Sequence, residues 1–174
     1  MTLHTFVDES RRNGTYLLAA ALIRPTQLHP IRTLMRGLRM PGARHIHFKH
    51  ERDSVQKDIA AALVDTPVLG RIYVGRGKPE TVRRSALHTM TLDLHELGLS
   101  RLVLDSRGAV ADRSDRHIIS ATMQRAIGTV PFTYEHLRSH EEPALRVPDV
   151  IACAGARVVN GVGGSSRCSM RCTT

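Results

Sequence analysis

The chain has 174 residues, the size of one ordinary domain, and its 41% hydrophobic and 24% charged content is a globular balance that excludes wholesale disorder. No apolar run approaches the roughly 18 residues a membrane helix needs, and the opening MTLHTFVDES lacks the long apolar core of a secretory signal, so a cytoplasmic protein with no membrane partner is expected. Lys plus Arg number 25 against 16 Asp plus Glu, a formal charge of +9 that favours polyanionic partners.

Nearly all the basic residues are Arg, with Lys only at Lys49, Lys57 and Lys78. Arg holds phosphate in a bidentate fork, which suits nucleic acid, although GC-rich coding gives the same bias. The three cysteines, Cys153, Cys168 and Cys172, are too few and too unevenly placed for a disulfide framework, and Cys168 and Cys172 lack the second pair that a zinc site needs. Trp is absent and Phe and Tyr number three each, so the core must be Leu, Val, Ile and Ala.

Leu3 to Asp8 alternates around Phe6 and Val7 and reads as a strand ending on acids. Arg11-Arg12-Asn13-Gly14 follows, and Asn-Gly is the strongest short hairpin signal, so Thr15 to Ile23 returns as an antiparallel partner. Pro25 and Thr26 open a helix with Ile31, Leu34, Met35 and Leu38 at spacings of three and four, closed by Pro41-Gly42. After the His-rich run from His45 to His50, a second helix begins near Glu51 with Val55, Ile59, Ala62 and Leu63 on one face. Val68 to Val74 reads as a strand. A long helix starts at Pro79, with Val82, Ala86, Met90, Leu94 and Leu97 as its stripe and Gly98 as its stop. Arg101 to Asp105 is a short buried strand, Asp112 to Gly128 a helix, Val130 to His136 the last strand, and Asp149 to Val158 a closing helix with Pro148 at its start. This succession predicts an α/β three-layer domain over 1–159: a mixed five-stranded sheet, opening with an antiparallel hairpin and continuing with parallel strands, flanked by helices. A Gly/Ser-rich basic tail occupies 160–174.

The acids fall in a pattern. Asp8 ends the first strand, Asp105 ends the fourth, and Asp149 enters the first turn of the last helix. If strands one and four are parallel neighbours, Asp8 and Asp105 emerge at one sheet edge, and a helix start leaning over it adds a third carboxylate. Clustered carboxylates repel and raise one another's pKa values unless cations neutralise them, and such oxygen ligands select Mg²⁺ or Mn²⁺. Two such ions activate water and stabilise the leaving oxygen of a phosphodiester. The same residue types also serve as turn formers and helix caps.

A hairpin with Asp on its first strand, an Asp ending the fourth strand and a late helical Asp resemble the ribonuclease H-like superfamily. More narrowly, the chain resembles a bacterial and phage family of unknown function within it. The motifs are Phe6-Val7-Asp8-Glu9-Ser10, Ile46-His47-Phe48, Val103-Leu104-Asp105, and Ser139 followed by Val147-Pro148-Asp149-Val150-Ile151-Ala152, spanning about residues 3 to 156. The resemblance implies a ribonuclease H-like fold and a nuclease whose metal core is Asp8, Asp105 and Asp149. It also implies a general acid, His136 or His140, from the loop ahead of the last helix. Ribonuclease H adds a Glu from the helix after its third strand; the matching helix offers Glu80, Asp93 and Glu96, while Glu51 and Glu142 are substitutes, of which Glu51 enters the metal set.

Weaker patterns have plainer readings. His45, His47 and His50 beside Glu51 would suit a transition metal or a solvated, phosphate-facing patch. Gly75-Arg76-Gly77-Lys78 lacks the Gly-Lys-Ser/Thr ending of a phosphate loop, and Ser10 sits in no nucleophile frame. Arg11, Arg12, Arg83, Arg84, Arg113 and Arg116, paired at element starts, would form a phosphate track. The expected activity is metal-dependent hydrolysis of DNA or RNA by a two-metal mechanism. The alternative is an inactive ribonuclease H-like module that binds nucleic acid or serves as a subunit of a larger complex.

Overall fold

A computed structural model describes residues 2–12, 14–38 and 53–161. Its strands are β1 (Leu3–Arg12), β2 (Thr15–Ile23), β3 (Leu69–Arg76), β4 (Leu99–Asp105) and β5 (Thr133–Leu137). Its helices are α1 (Leu28–Gly37), α2 (Asp53–Val64), α3 (Pro79–Glu96), α4 (Ala109–Ile127) and α5 (Arg146–Gly161), with short 3-10 turns at Pro25–Gln27 and Pro143–Leu145. The sheet order is β3-β2-β1-β4-β5. β2 runs antiparallel to both β1 and β3, while β4 is parallel to β1 and β5 to β4. This is the mixed, hairpin-first α/β sheet expected from the sequence.

The alternation of β1 sorts the core. Leu3 and Val7 join Leu18, Leu102 and Leu104 under α3 and α4, with Leu87, Met90, Ile119 and Met123 from the helices. Phe6 joins Ala21, Ile23 and Val103 on the other face, beneath Ile31 and Met35 of α1 and Val147 of α5. Ile59 of α2 packs outside this layer on Val150 and Cys153 of α5. Helices thus cover both faces, as three-layer packing requires.

Among the boundaries that differ from the sequence reading, those of β1 and α5 matter for the site. β1 does not stop at Asp8 but pairs with β2 as far as Arg12↔Thr15, so the tight turn leaves Gly14 at φ 72°, where the absence of a Cβ removes the steric cost. β4, paired with β1 as far as Val7↔Leu104, ends at Asp105, so the hairpin runs on past β4 as a ribbon. α5 begins at Arg146 rather than Asp149; Pro148 is tolerated there because first-turn N–H groups have no helical acceptor. The turn at Gly77 (φ 129°) leads into Pro79 of α3. The His-rich run from His45 to His50, Glu51 and residues 162–174 lie outside the described residues. No helix among the described residues is long and apolar enough to cross a membrane.

Candidate functional site

Strand parity decides which acids meet. Asp8 shares its face of β1 with Phe6, Asp105 shares its face of β4 with Val103, and both neighbours belong to the layer beneath α1 and α5. The parallel pairing Val7↔Leu104 brings the next residues, Asp8 and Asp105, side by side where the β4 ladder ends. Asp149 lies in the first turn of α5, which packs on that same face. Three sequence-distant carboxyls, from β1, β4 and α5, therefore share one end and one face of the sheet.

Their coupling is electrostatic as well as positional. Burial and then the neighbouring Asp105 carboxylate push the Asp8 carboxyl up to about 7, with Asp149 and Glu9 adding to the rise. The Glu9 backbone N–H, donating to Asp8 Oδ1 at 2.6 Å, opposes it in part. A carboxyl held at that value is waiting for positive charge. Among the described residues no three His, Cys, Asp or Glu side chains are grouped so as to hold a metal ion by themselves. Mg²⁺ does not ask for such a group, because it keeps several waters and takes one or two carboxylates plus substrate phosphate. The donor set at Asp8 and Asp105, hard oxygens under mutual repulsion, fits such a cation.

The two candidate histidines separate. β5 pairs with β4 as His136↔Leu104, and His136 falls on the α3–α4 face, where Tyr134 packs. Its side chain only 1% exposed, His136 places Nε2 3.5 Å from Asp115 Oδ2 of α4. The sheet lies between it and Asp8. His140, by contrast, is exposed in the turn after β5, three residues beyond Leu137, which pairs with Asp105. It keeps to the acids' end of the molecule.

The substitutes for a fourth carboxylate are engaged elsewhere. Glu142 is buried, takes both Nε and a terminal nitrogen of Arg32, and accepts the Ala144 N–H at the start of the Pro143–Leu145 turn. Glu80 pairs with Arg107 at 2.8 Å and Asp93 stands 3.5 Å from Arg71. Glu51 lies outside the described residues.

What sequence reasoning missed is on the other face. Glu9, next to Asp8, turns toward α3 and meets the Arg83 guanidinium and the Tyr16 hydroxyl, each at 2.5 Å. Arg83, 3% exposed, also clasps Asp115, 1% exposed, through three hydrogen bonds. Burial disfavours charge on Asp115, but the nearby His136 ring, the hydrogen bonds from Arg83 and the charges of Arg83 and Arg107 outweigh it and hold the carboxyl down to about 2. Arg107 reaches Glu80, Glu9 and Asp115. At the start of α4, burial likewise opposes charge on Asp112, and the Ser106 hydroxyl (2.7 Å) and Arg107 N–H (2.9 Å) hold that carboxyl below its usual range. The one local clue was alternation itself: an acid beside Asp8 on a strand must face the opposite layer.

No family model matches the chain, and no curated protein does. Among solved structures, the backbone is similar to that of RNase H1 from the halophilic archaeon Halobacterium salinarum NRC-1, at 11% identity over 89% of this chain and 99% of that one, with a TM-score of 0.41.

Proposed function

We propose that the chain is a divalent-cation-dependent phosphodiesterase acting on nucleic acid, with Asp8, Asp105 and Asp149 as its acidic core. The observation that carries this reading is the Asp8 carboxyl, raised to about 7 by burial and by Asp105 and Asp149, which arrive from separate elements. Such repulsion is a cost to folding unless it is used, and a cation together with a phosphate uses it. Asp8 and Asp105 would hold Mg²⁺ or Mn²⁺, with Asp149 completing the anionic wall and Glu51 as a further ligand. When bound, the cation supplies Lewis-acid activation of water and offsets charge on the leaving oxygen. In the hydrolysis, water would add to phosphorus and release a proton to solvent, the P–O bond to the leaving oxygen would break, and His140 would give that oxygen its proton. His136, turned to the opposite layer, has no place in this step.

The substrate class follows from charge. At the end of the molecule that carries the acids, the side chains of Arg76, Lys78, Arg84, Arg113 and Arg116 make no ion pair with any described residue. They suit a polyanionic backbone.

The test is cleavage of single- and double-stranded DNA and RNA with and without Mn²⁺, in the unaltered chain and in Asp8→Asn and Asp105→Asn. Cleavage that needs the cation and falls by about 10³-fold in either variant supports the proposal. Salt-sensitive binding without cleavage under any cation leaves the non-catalytic binding module instead.

A further inference from the structure

Behind the acids, on the opposite face of the sheet, a cleft of about 590 Å³ opens between the starts of α3 and α4. The proposed phosphodiesterase chemistry makes no use of it. One wall is cationic, with Arg83, Arg84 and Arg107; the other is apolar, built from Val110 and Ile118 with the small residues around them. That size lies within the range of small-molecule sites, and a few convergent polar groups against an apolar wall is their usual make-up.

The cations are not equally committed. Arg83 is spent on Asp115, Glu9 and Tyr16, and it serves the cleft as a fixed positive background. Arg84, one residue on, is exposed on the cleft and has no partner among the described residues. Arg107 spends one terminal nitrogen on buried Asp115 at 3.4 Å and the other on Glu80, but Glu80 is 68% exposed, so that second pair is screened by solvent and exchanges readily for a better anion. The buried Nε of Arg107, 3.6 Å from a Glu9 carboxylate oxygen, makes no hydrogen bond. With Glu80 and Asp115 on the cleft and Glu9 behind it, Arg83 and Arg107 are balanced by carboxylates they pair with, and Arg84 is the cation of the lining that pairs with none. Opposite them Val110 is 84% exposed, an apolar side chain held in water at the rim, with the Ser114 hydroxyl one turn further along α4.

We infer that this cleft binds a phosphorylated nucleoside, with the phosphate between Arg84 and Arg107 and the base against Val110 and Ile118. A bare anion would leave the apolar wall wet, and an apolar ligand would leave Arg84 unpaired; a nucleotide satisfies both. The ligand is either a free nucleoside monophosphate or the phosphorylated end of a strand, since the two present the same group to the cleft.

Calorimetric titration of the full chain, in chelator so that nothing is cleaved, tests the site with adenosine 5′-monophosphate, inorganic phosphate, and a trinucleotide with and without a 5′-phosphate. The nucleotide should bind about tenfold or more tightly than inorganic phosphate, and Arg84→Ala and Val110→Asp, both at exposed positions, should each weaken it by about tenfold. A free nucleotide equal to the phosphorylated trinucleotide marks a free ligand; a clear preference for the phosphorylated trinucleotide over its unphosphorylated form and over the monophosphate marks a strand end. Saturable binding absent at about 5 mM, inorganic phosphate binding as tightly as the nucleotide, or affinity unmoved by both substitutions would overturn the inference. Cleavage is measured separately on Asp8→Asn, so either reading can fail while the other stands.

Discussion

Asp115 and Asp8 carry carboxyls displaced in opposite directions, and their contributions to stability are therefore of opposite sign. The folded chain holds Asp115 down at about 2, against an ordinary value of 3.8. Its contribution is fully present above about pH 4 and is lost as the pH falls from there toward 2, because the unfolded chain then takes up the proton first. Asp115→Ala strands the Arg83 guanidinium in the interior with only Glu9 left to balance it. Urea denaturation at pH 7 should show a loss of about 3–5 kcal/mol. Asp8, raised to about 7, works the other way. From about pH 4 to about 7 the unfolded chain has released its proton while the folded chain still holds it, so stability falls as the pH rises through that window. Asp8→Asn removes this cost. In chelator at pH 8 that variant should be more stable than the unaltered chain by about 1–3 kcal/mol, and the difference should vanish near pH 4. Divalent cation should stabilise the unaltered chain and leave Asp8→Asn unmoved; thermal melts with and without Mn²⁺ check this, and equal shifts in both would remove Asp8 from the cation site.

At the scale of elements, β3 and α3 approach so closely at Gly75 that an added Cβ would strike Val82 Cγ1. Gly75→Ala should therefore cost about 1–3 kcal/mol by overpacking, and Val82→Ala in the same chain should recover much of it. A double-mutant cycle by urea denaturation reads the coupling, and simple additivity would mean that Val82 yields freely. The elements themselves were largely legible in the sequence. Alternation at Phe6 and Val7, the Asn13-Gly14 turn, the run Leu102-Val103-Leu104 and the stripe of α3 are local signals, and each element stands within a few residues of where they put it. The extension of β1 to Arg12 was not legible, because Glu9, Ser10 and Arg11 have no apolar alternation and owe their pairing to β2. The partners of Glu9 were not legible either: Arg83 is 74 residues away, and Arg83 and Asp115 are 32 apart, separations that no local period encodes. His136 shows how fine the margin is. A shift of one residue along a strand reverses the face of every side chain, and parity, not proximity in sequence, sets it against Asp115.

The whole molecule is organised around one end of its sheet. β1, β3 and β4 run in the same direction, so their carboxyl ends coincide, and α3 and α4 both start from that end. Acids and unpaired cations are consequently gathered together there: Asp8 and Asp105 on the strands, and Arg76, Lys78, Arg84, Arg113 and Arg116 on the flanking turn and first helical turns. The exposed face of α4 carries Arg113 and Arg116, while its own acids, Asp112 and Asp115, are buried and engaged. A charge of +9 distributed evenly would bind polyanions weakly anywhere; these five cations beside the acids would, under the proposed function, aim a phosphate backbone at them. The consequence is measurable without catalysis. In Asp8→Asn, with chelator present, the logarithm of the affinity for a single-stranded oligonucleotide should fall linearly with the logarithm of the salt concentration. Replacing Arg76, Arg113 and Arg116 together by Ala should flatten that slope by about 2, near 0.7 for each phosphate that no longer meets a cation, whereas replacing Arg24, beyond the far end of β2, and Arg125, in the last turn of α4, should leave it unchanged. A slope indifferent to the first set, or equally sensitive to both, would mean that the backbone does not run along this end of the sheet.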